Sequence, residues 1–345
     1  MSAYVHEVRV REVIAETADS VTLVLDVSDE VTPRFDYECG QFLTVRIPSP
    51  TTGSVARCYS LSSSPHDPHL AVTIKRTAGG YASNWLCDNV VPGSSLEVLE
   101  PSGTFVPASL DRDVLLCAAG SGITPIMSIA KTVLARGAGR VIVLYANQNR
   151  ESTIFHRQLA ELEQAYADRL VVVHWLVDER GLPTVDGLAA EIRTHTFDDV
   201  FLCGPAGFMS EAHIALSSIG VPAERIRREE YRSLESNPFE SSTTATQPTP
   251  PRGDHPTVEV EINGENHTFA WPKNQPLLDV LLDNGIDAPY VCRESICGTC
   301  VCSVRKGKTR MLLSDALTDE DIDMGVTLAC QTLPESDEVY IAFDQ

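Results

Sequence analysis

The chain has 345 residues, 43% of them hydrophobic, which is more than one ordinary domain and enough apolar content for packed cores. A formal net charge of −21 argues against nucleic-acid binding, since phosphate recognition needs clustered Lys and Arg. No apolar run reaches the roughly 18 residues that span a bilayer, so no membrane segment is expected.

In chain order, the opening stretch MSAYVHEVRVREVIAE alternates apolar and polar residues and lacks a signal-peptide core. It reads as a first strand and implies a cytoplasmic protein, in which reduced cysteines are the default and a disulfide framework is not expected. Further short alternating runs follow: VTLVLDV, QFLTVRIP, LAVTIKR and SSLEVLEP, punctuated by Pro, Gly and Ser. This spacing predicts an antiparallel β-barrel over residues 1–107. Within it, Arg57 and Tyr59 of the R-x-Y-S stretch Arg57-Cys58-Tyr59-Ser60 point the same way if the segment is a strand. They then offer a phosphate fork beside an aromatic face. GGYASNWL, from Gly79 to Leu86, reads as a Gly-rich turn entering a helix, whose free N–H groups can bind a pyrophosphate; an ordinary tight turn is the bland alternative.

Residues 108–235 change grammar. VLLCAAG, VIVLYAN, LVVVHWLVD and VFLCGP are continuous apolar strands, and ITPIMSIAKTVLARG and FHRQLAELEQAYAD are helices. Such alternation predicts a doubly wound α/β domain with a parallel sheet. Gly120-Ser121-Gly122-Ile123-Thr124-Pro125 joins a strand to a helix, and Cys203-Gly204-Pro205 ends another strand at the same edge. That edge is where open α/β sheets bind nucleotides.

Residues 236–253 are rich in Pro, Ser and Thr and nearly devoid of apolar side chains, so a flexible linker is expected. Beyond it, residues 254–345 begin with a hairpin, TVEVEINGENHTFAW, turning at Asn263-Gly264. A short helix, PLLDVLLDNG, ends at Gly285, and EVYIAF is a last strand. This segment carries 17 Asp and Glu against 6 Lys and Arg, read either as solubility or as an acidic face that steers a basic partner.

The same segment holds Cys292-x4-Cys297-x2-Cys300, with Cys330 thirty residues on. Four cysteines could hold zinc, but zinc ribbons supply two C-x2-C pairs, whereas Cys330 stands alone. The spacing is that of plant-type [2Fe–2S] sites, in which three close cysteines wrap the cluster and a fourth arrives from elsewhere. Cys302 falls outside the pattern and reads as a small packed residue. With Ala329-Cys330-Gln331 and Pro334, residues 256–345 resemble plant-type ferredoxin domains, which implies an α+β (β-grasp) fold with Cys292, Cys297, Cys300 and Cys330 as metal ligands.

R-x-Y-S, the Gly-rich turn, G-x-G-I-T-P and C-G-P, in that order, resemble the ferredoxin–NADP reductase superfamily. By that resemblance Arg57 binds flavin phosphate, Tyr59 packs on the isoalloxazine and Ser60 lies near its reactive edge. Ile74 gives backbone contacts, and Gly80, Tyr81, Ala82 and Ser83 form the pyrophosphate turn. Gly120, Gly122, Thr124, Cys203, Gly204 and Pro205 form the nicotinamide-nucleotide site, with Ser60 and Cys203 as the catalytic positions. Glu229-Glu230-Tyr231 resembles the superfamily's closing E-x-aromatic, which makes Tyr231 a cofactor-binding residue.

The domain order flavin, nicotinamide, ferredoxin resembles reductase components of oxygenase systems. Pro101-Ser102-Gly103-Thr104-Phe105 looks like the P-x-G-x-F of the FAD branch. RCYSLSSSP, VTIKR, GGYASNWLCDN and GSGITPIMSI are most similar to the reductases of 3-ketosteroid 9α-hydroxylases. Phenylacetyl-CoA epoxidase and aromatic-ring-hydroxylating reductases are neighbouring alternatives. The resemblance implies an NADH-dependent oxidoreductase holding FAD and a [2Fe–2S] cluster and delivering electrons to a Rieske-type terminal oxygenase. A non-enzymatic flavin and iron–sulfur redox sensor is the rival from another class. Asn147-Gln148-Asn149 after VIVLYA favours NADH over NADPH, although Arg150 follows.

Overall fold

A computed structural model describes residues 5–231, 233–234, 237–239, 255–262, 264–286 and 288–343. Except for residues 237–239, the expected linker lies outside them, as does Asn263 of the expected hairpin turn. Two compact units result. One holds His6–Pro101 with Phe105–Ser233, and the other is formed chiefly by the chain from Leu234 onward.

In the first unit, six strands form one antiparallel sheet: β1 (Val5–Thr17), β2 (Ser20–Asp26), β3 (Phe42–Ser49), β4 (Gly53–Ser60), β5 (Leu70–Lys75) and β6 (Ser95–Leu99). Their order is β4-β3-β6-β1-β2-β5, and a bridge from Leu61 to Val72 joins the two outer edges into a barrel. Alternation explains the filling. Leu23, Leu43, Val45, Ile47, Val72 and Ile74 point inward and are essentially inaccessible. Helix α1 (Tyr81–Asn89) adds Ala82 and Leu86 to that core.

The same unit contains β7 (Val114–Ala119), α2 (Ile123–Arg136), β8 (Val141–Asn147), α3 (His156–Ala165), β9 (Leu170–Leu176), α4 (Val177–Arg180), α5 (Val185–Ile192), β10 (Asp199–Cys203), α6 (Ala206–Ser218) and β11 (Ile226–Glu229). The sheet is parallel throughout, ordered β11-β10-β7-β8-β9. Every residue of β7 and β8 is buried, because helices cover both faces, and this is why those strands read as unbroken apolar runs. The strand order reverses between β7 and β10. Their C-terminal ends therefore open a crevice at the place where doubly wound sheets take nucleotides.

The second unit contains β12 (Thr257–Ile262), β13 (Glu265–Ala270), α7 (Leu277–Asp283), β14 (Val301–Lys306), β15 (Thr309–Met311), α8 (Asp319–Asp323), β16 (Val326–Leu328), β17 (Thr332–Pro334) and β18 (Glu338–Ala342). Its main sheet runs β13-β12-β18-β14-β16, with β12 and β18 parallel at the centre. Trp271 and the apolar face of α7 fill its core, as in a β-grasp. Gly285 ends α7 with a φ of 76°, as expected for a helix stop. Among the described residues, no helix is long and apolar enough to cross a membrane.

One glycine fixes the crevice. A Cβ on Gly122 would lie 2.2 Å from the Cys203 carbonyl oxygen and 2.7 Å from the Gly204 nitrogen. Gly122→Ala must push β10 away from the loop after β7, at a cost of about 2–3 kcal/mol. In calorimetry of the purified protein, the transition of the first unit should fall by several degrees, and an unshifted transition would show that the approach is not tight.

Candidate functional site

Two cavities lie at the junction of the barrel and the parallel sheet. The first, of about 290 Å³, has Arg57, Tyr59 and Ser60 on its barrel wall. These residues come from β4, paired with β3 so that Arg57 faces Val45 and Tyr59 faces Leu43. Gly80, Tyr81, Ala82 and Ser83 form another wall at the start of α1. No side chain caps that helix, so its first N–H groups are left for a ligand. The Ser83 hydroxyl accepts from the Thr77 N–H at 3.0 Å and holds the turn closed. An uncapped helix start beside an arginine and an aromatic ring fits the pyrophosphate and ring system of a flavin dinucleotide. Ile74 is buried in the barrel core, and it is its neighbours Thr73 and Lys75 that reach the cavity.

The parallel sheet contributes Thr124 and Tyr231 to the same cavity. Here the structure gives a role to Glu229 at the end of β11, the acidic residue of the E-x-aromatic motif, to which the sequence assigned none. Its carboxylate accepts from the Ser60 hydroxyl at 2.9 Å. The Tyr231 hydroxyl lies 2.7 Å from that of Thr124 and 3.3 Å from that of Ser60. Although 47% of Tyr231 is exposed, its hydroxyl sits among these partners and also lies 3.3 Å from the Ser121 carbonyl oxygen. Burial pushes the Glu229 carboxyl up to about 7. Cys203 is wholly buried beneath this network, and burial, then the nearby Glu229 charge, raises its thiol well above the ordinary value. It therefore stays a neutral thiol.

The second cavity, of about 710 Å³, crosses the C-terminal ends of β7, β8 and β9. Gly120 and Pro205 line it, whereas Gly122, Cys203 and Gly204 shape the ground behind, through the backbone approach already described. Thr124 faces the first cavity instead. Lys75 and Ser121 line both cavities, which makes them neighbours with a shared wall.

In the second unit, Cys292, Cys297, Cys300 and Cys330 are all buried and none is in a disulfide. They gather as two pairs. The hydrogen bond with Cys297 drives the Cys292 thiol upward, and that with Cys330 does the same to Cys300. Among the described residues, no three ligating side chains converge on one point as a single ion requires. Two thiol pairs fit a dinuclear cluster, with one pair to each iron. Backbone N–H groups already point at sulfur, from Glu294 and Cys297 to Cys292 Sγ at 3.3 and 3.4 Å. The loop manages this by placing Arg293, Ser295 and Gly298 at φ of 60°, 63° and 71°, which curls successive N–H groups inward. Two non-glycine residues in that region need outside support. Arg293 receives it from Asp279 at 2.6 Å, and Ser295 from Asp315 at 2.7 Å. The Gln331 amide donates to the Arg293 carbonyl at 2.8 Å. Cys302 is buried in β14 and packs into the core, as expected.

Glu229 generates a pH test. Its folded value lies above the ordinary carboxylate value of 4.5, so the group favours folding at low pH and that contribution is lost as pH rises towards about 7. Glu229→Gln removes the loss. Judged by the temperature at which flavin fluorescence is released, the variant's stability relative to the parent should grow by about 2 kcal/mol between pH 5.5 and pH 8.5. A difference independent of pH would contradict a neutral buried carboxyl.

Known proteins can now be set beside this geometry. Residues 7–106 match an oxidoreductase FAD-binding domain, 116–213 an oxidoreductase NAD-binding domain and 260–335 a 2Fe-2S iron-sulfur cluster binding domain. The 3-ketosteroid-9-alpha-monooxygenase ferredoxin reductase component of Mycobacterium tuberculosis is 50% identical over 99% of this chain and 97% of its own. That of Rhodococcus rhodochrous is 48% identical over 97% and 95%. A component of the 1,2-phenylacetyl-CoA epoxidase of Escherichia coli is 29% identical over 98% of each chain. Phthalate dioxygenase reductase shares the fold along 98% of both chains, with a TM-score of 0.56 at 21% identity. The chain belongs to the family of ferredoxin reductase components of 3-ketosteroid-9-alpha-monooxygenases, oxidoreductases in which FAD-binding, NAD-binding and 2Fe-2S domains share one polypeptide.

Proposed function

We propose that this chain takes hydride from NADH, passes electrons singly through FAD and a [2Fe–2S] cluster, and delivers them to a Rieske-type oxygenase that hydroxylates a 3-ketosteroid at C9. One observation carries the reading: the two cavities share Lys75 and Ser121, so a nicotinamide in one meets a flavin ring in the other. When bound, the flavin supplies the change from two-electron to one-electron transfer that a hydride donor and an iron–sulfur acceptor cannot make between themselves.

The chain's own residues then bind and orient. Arg57 and the uncapped start of α1, from Gly80 to Ser83, hold phosphate, and Tyr59 and Tyr231 offer aromatic faces to the flavin ring. Ser60, tied to Glu229, presents a hydroxyl at the reacting edge, and the neutral Cys203 thiol packs behind it. Gly120, Gly122, Thr124, Gly204 and Pro205 shape the nicotinamide side. Cys292, Cys297, Cys300 and Cys330 would hold the cluster. Arg150, which follows β8, donates to His156 at 3.1 Å instead of lining the nucleotide cavity, and this supports NADH.

We divide the chain functionally as FAD barrel (1–107), NAD domain (108–235), linker (236–253) and ferredoxin domain (254–345). A cytoplasmic setting suits thiols that must stay reduced for iron. The acidic excess of the last domain suits a basic docking face on the oxygenase.

Reconstitution tests the whole reading. With NADH and a purified 3-ketosteroid 9α-hydroxylase oxygenase, this protein should support 9α-hydroxylation, at a rate that falls as ionic strength rises. Rapid NADH-driven reduction of a small one-electron acceptor with no hydroxylation would move it to another oxygenase system. Failure to reduce either acceptor at catalytic rates would favour a redox sensor.

A further inference from the structure

The nucleotide cavity is charged unevenly, and the asymmetry has a chemical meaning. Among the described residues that line it, Lys75 and Glu211 are the charged ones. Lys75 stands at the end shared with the flavin cavity. Glu211 lines the second cavity alone and has no part in that shared wall. It lies on α6, and its Oε2 accepts from the Val185 N–H at 3.0 Å, at the first residue of α5. The neighbouring wall there is apolar, made by Val177, Leu182 and Pro183, and Leu182 keeps 70% of its surface exposed.

A dinucleotide that presents its nicotinamide at the flavin end must lay its adenosine half away from the shared wall. The apolar wall suits the faces of a purine, and the carboxylate suits a ribose hydroxyl. The helix start that binds Oε2 also fixes the carboxylate in place and leaves its second oxygen uncommitted to that bond. Nearby cations are turned away. The Arg180 guanidinium lies 3.9 Å from the Trp175 ring centroid and donates to Glu191 at 2.9 Å, while Arg150 is bound to His156. A phosphate on the ribose 2′-oxygen would therefore meet a fixed negative charge and neither of these guanidinium groups.

We propose that Glu211 is the residue that selects a nucleotide with a free 2′-hydroxyl and rejects its 2′-phosphorylated counterpart. The selection sits on α6, away from the stretch after β8 where sequence reasoning looks for it. It rests on the reading that NADH is the hydride donor.

Glu211→Gln isolates the charge, because the amide oxygen still accepts from Val185 and keeps α5 anchored. Equilibrium binding of adenosine 5′-monophosphate and of 2′,5′-ADP is measured by calorimetry on the full FAD-loaded protein and the variant, alongside flavin reduction by NADH and NADPH. The parent should bind 2′,5′-ADP at least about tenfold more weakly than the monophosphate, and the variant should close most of that gap. Glu211→Ala, which also removes the acceptor, should move the ratio the same way. A parent that prefers NADH while both variants keep its discrimination would overturn the proposal and leave the NADH reading standing. A parent that uses NADPH as readily as NADH would overturn the NADH reading itself.

Discussion

The flavin and nucleotide sites depend on one backbone approach. Gly122, in the loop after β7, lies so close to Cys203 and Gly204 that no side chain fits between them. The approach brings the ends of β7 and β10 together at the point where the sheet reverses its order. It places Ser121 and Thr124 beside the flavin cavity and Gly120 and Pro205 beside the nucleotide cavity. β11, paired in parallel with β10, then presents Glu229 and Tyr231 to Ser60 on the barrel. Two separately built folds thus acquire one common wall, shared by both cavities.

The second unit solves a different problem. Crowded thiols oxidise readily, and a loop that winds through three left-handed residues is strained. The two costs offset each other only if the sulfurs are committed to metal. Inward-pointing N–H groups lower the energy of thiolates, and Asp279 and Asp315 hold the Arg293 and Ser295 conformations from outside the loop. The four cysteines gather as pairs, an arrangement that fits a dinuclear cluster.

Much of this was legible in the sequence because periodicity and spacing are local. β7 and β8 read as buried strands since both faces are covered, and the cysteine spacing survives translation into geometry unchanged. The helices α4, α5, α6 and α8 and the strand β11 were not read, nor were the short strands β15, β16 and β17 of three residues each, which carry too few positions to show a period. Glu229 was visible within an E-x-aromatic motif, yet its role depends on a contact with Ser60, 169 positions earlier. Glu211 had no local signal at all. It resembles any exposed glutamate on a helix until α5 and the end of β9 close around it. Arg293 and Ser295 looked like spacers between cysteines, and only their dihedral angles show that they shape the loop.

The central claim is that one chain couples a two-electron carrier to a one-electron carrier. Anaerobic titration of the purified protein with a standardised reductant, followed by visible absorption, tests it most directly. FAD and a [2Fe–2S] cluster together take up about three electrons per chain. The account predicts that number, with the cluster's absorption bleached along with the flavin's. Uptake of two electrons by a protein whose four cysteines hold zinc would contradict it.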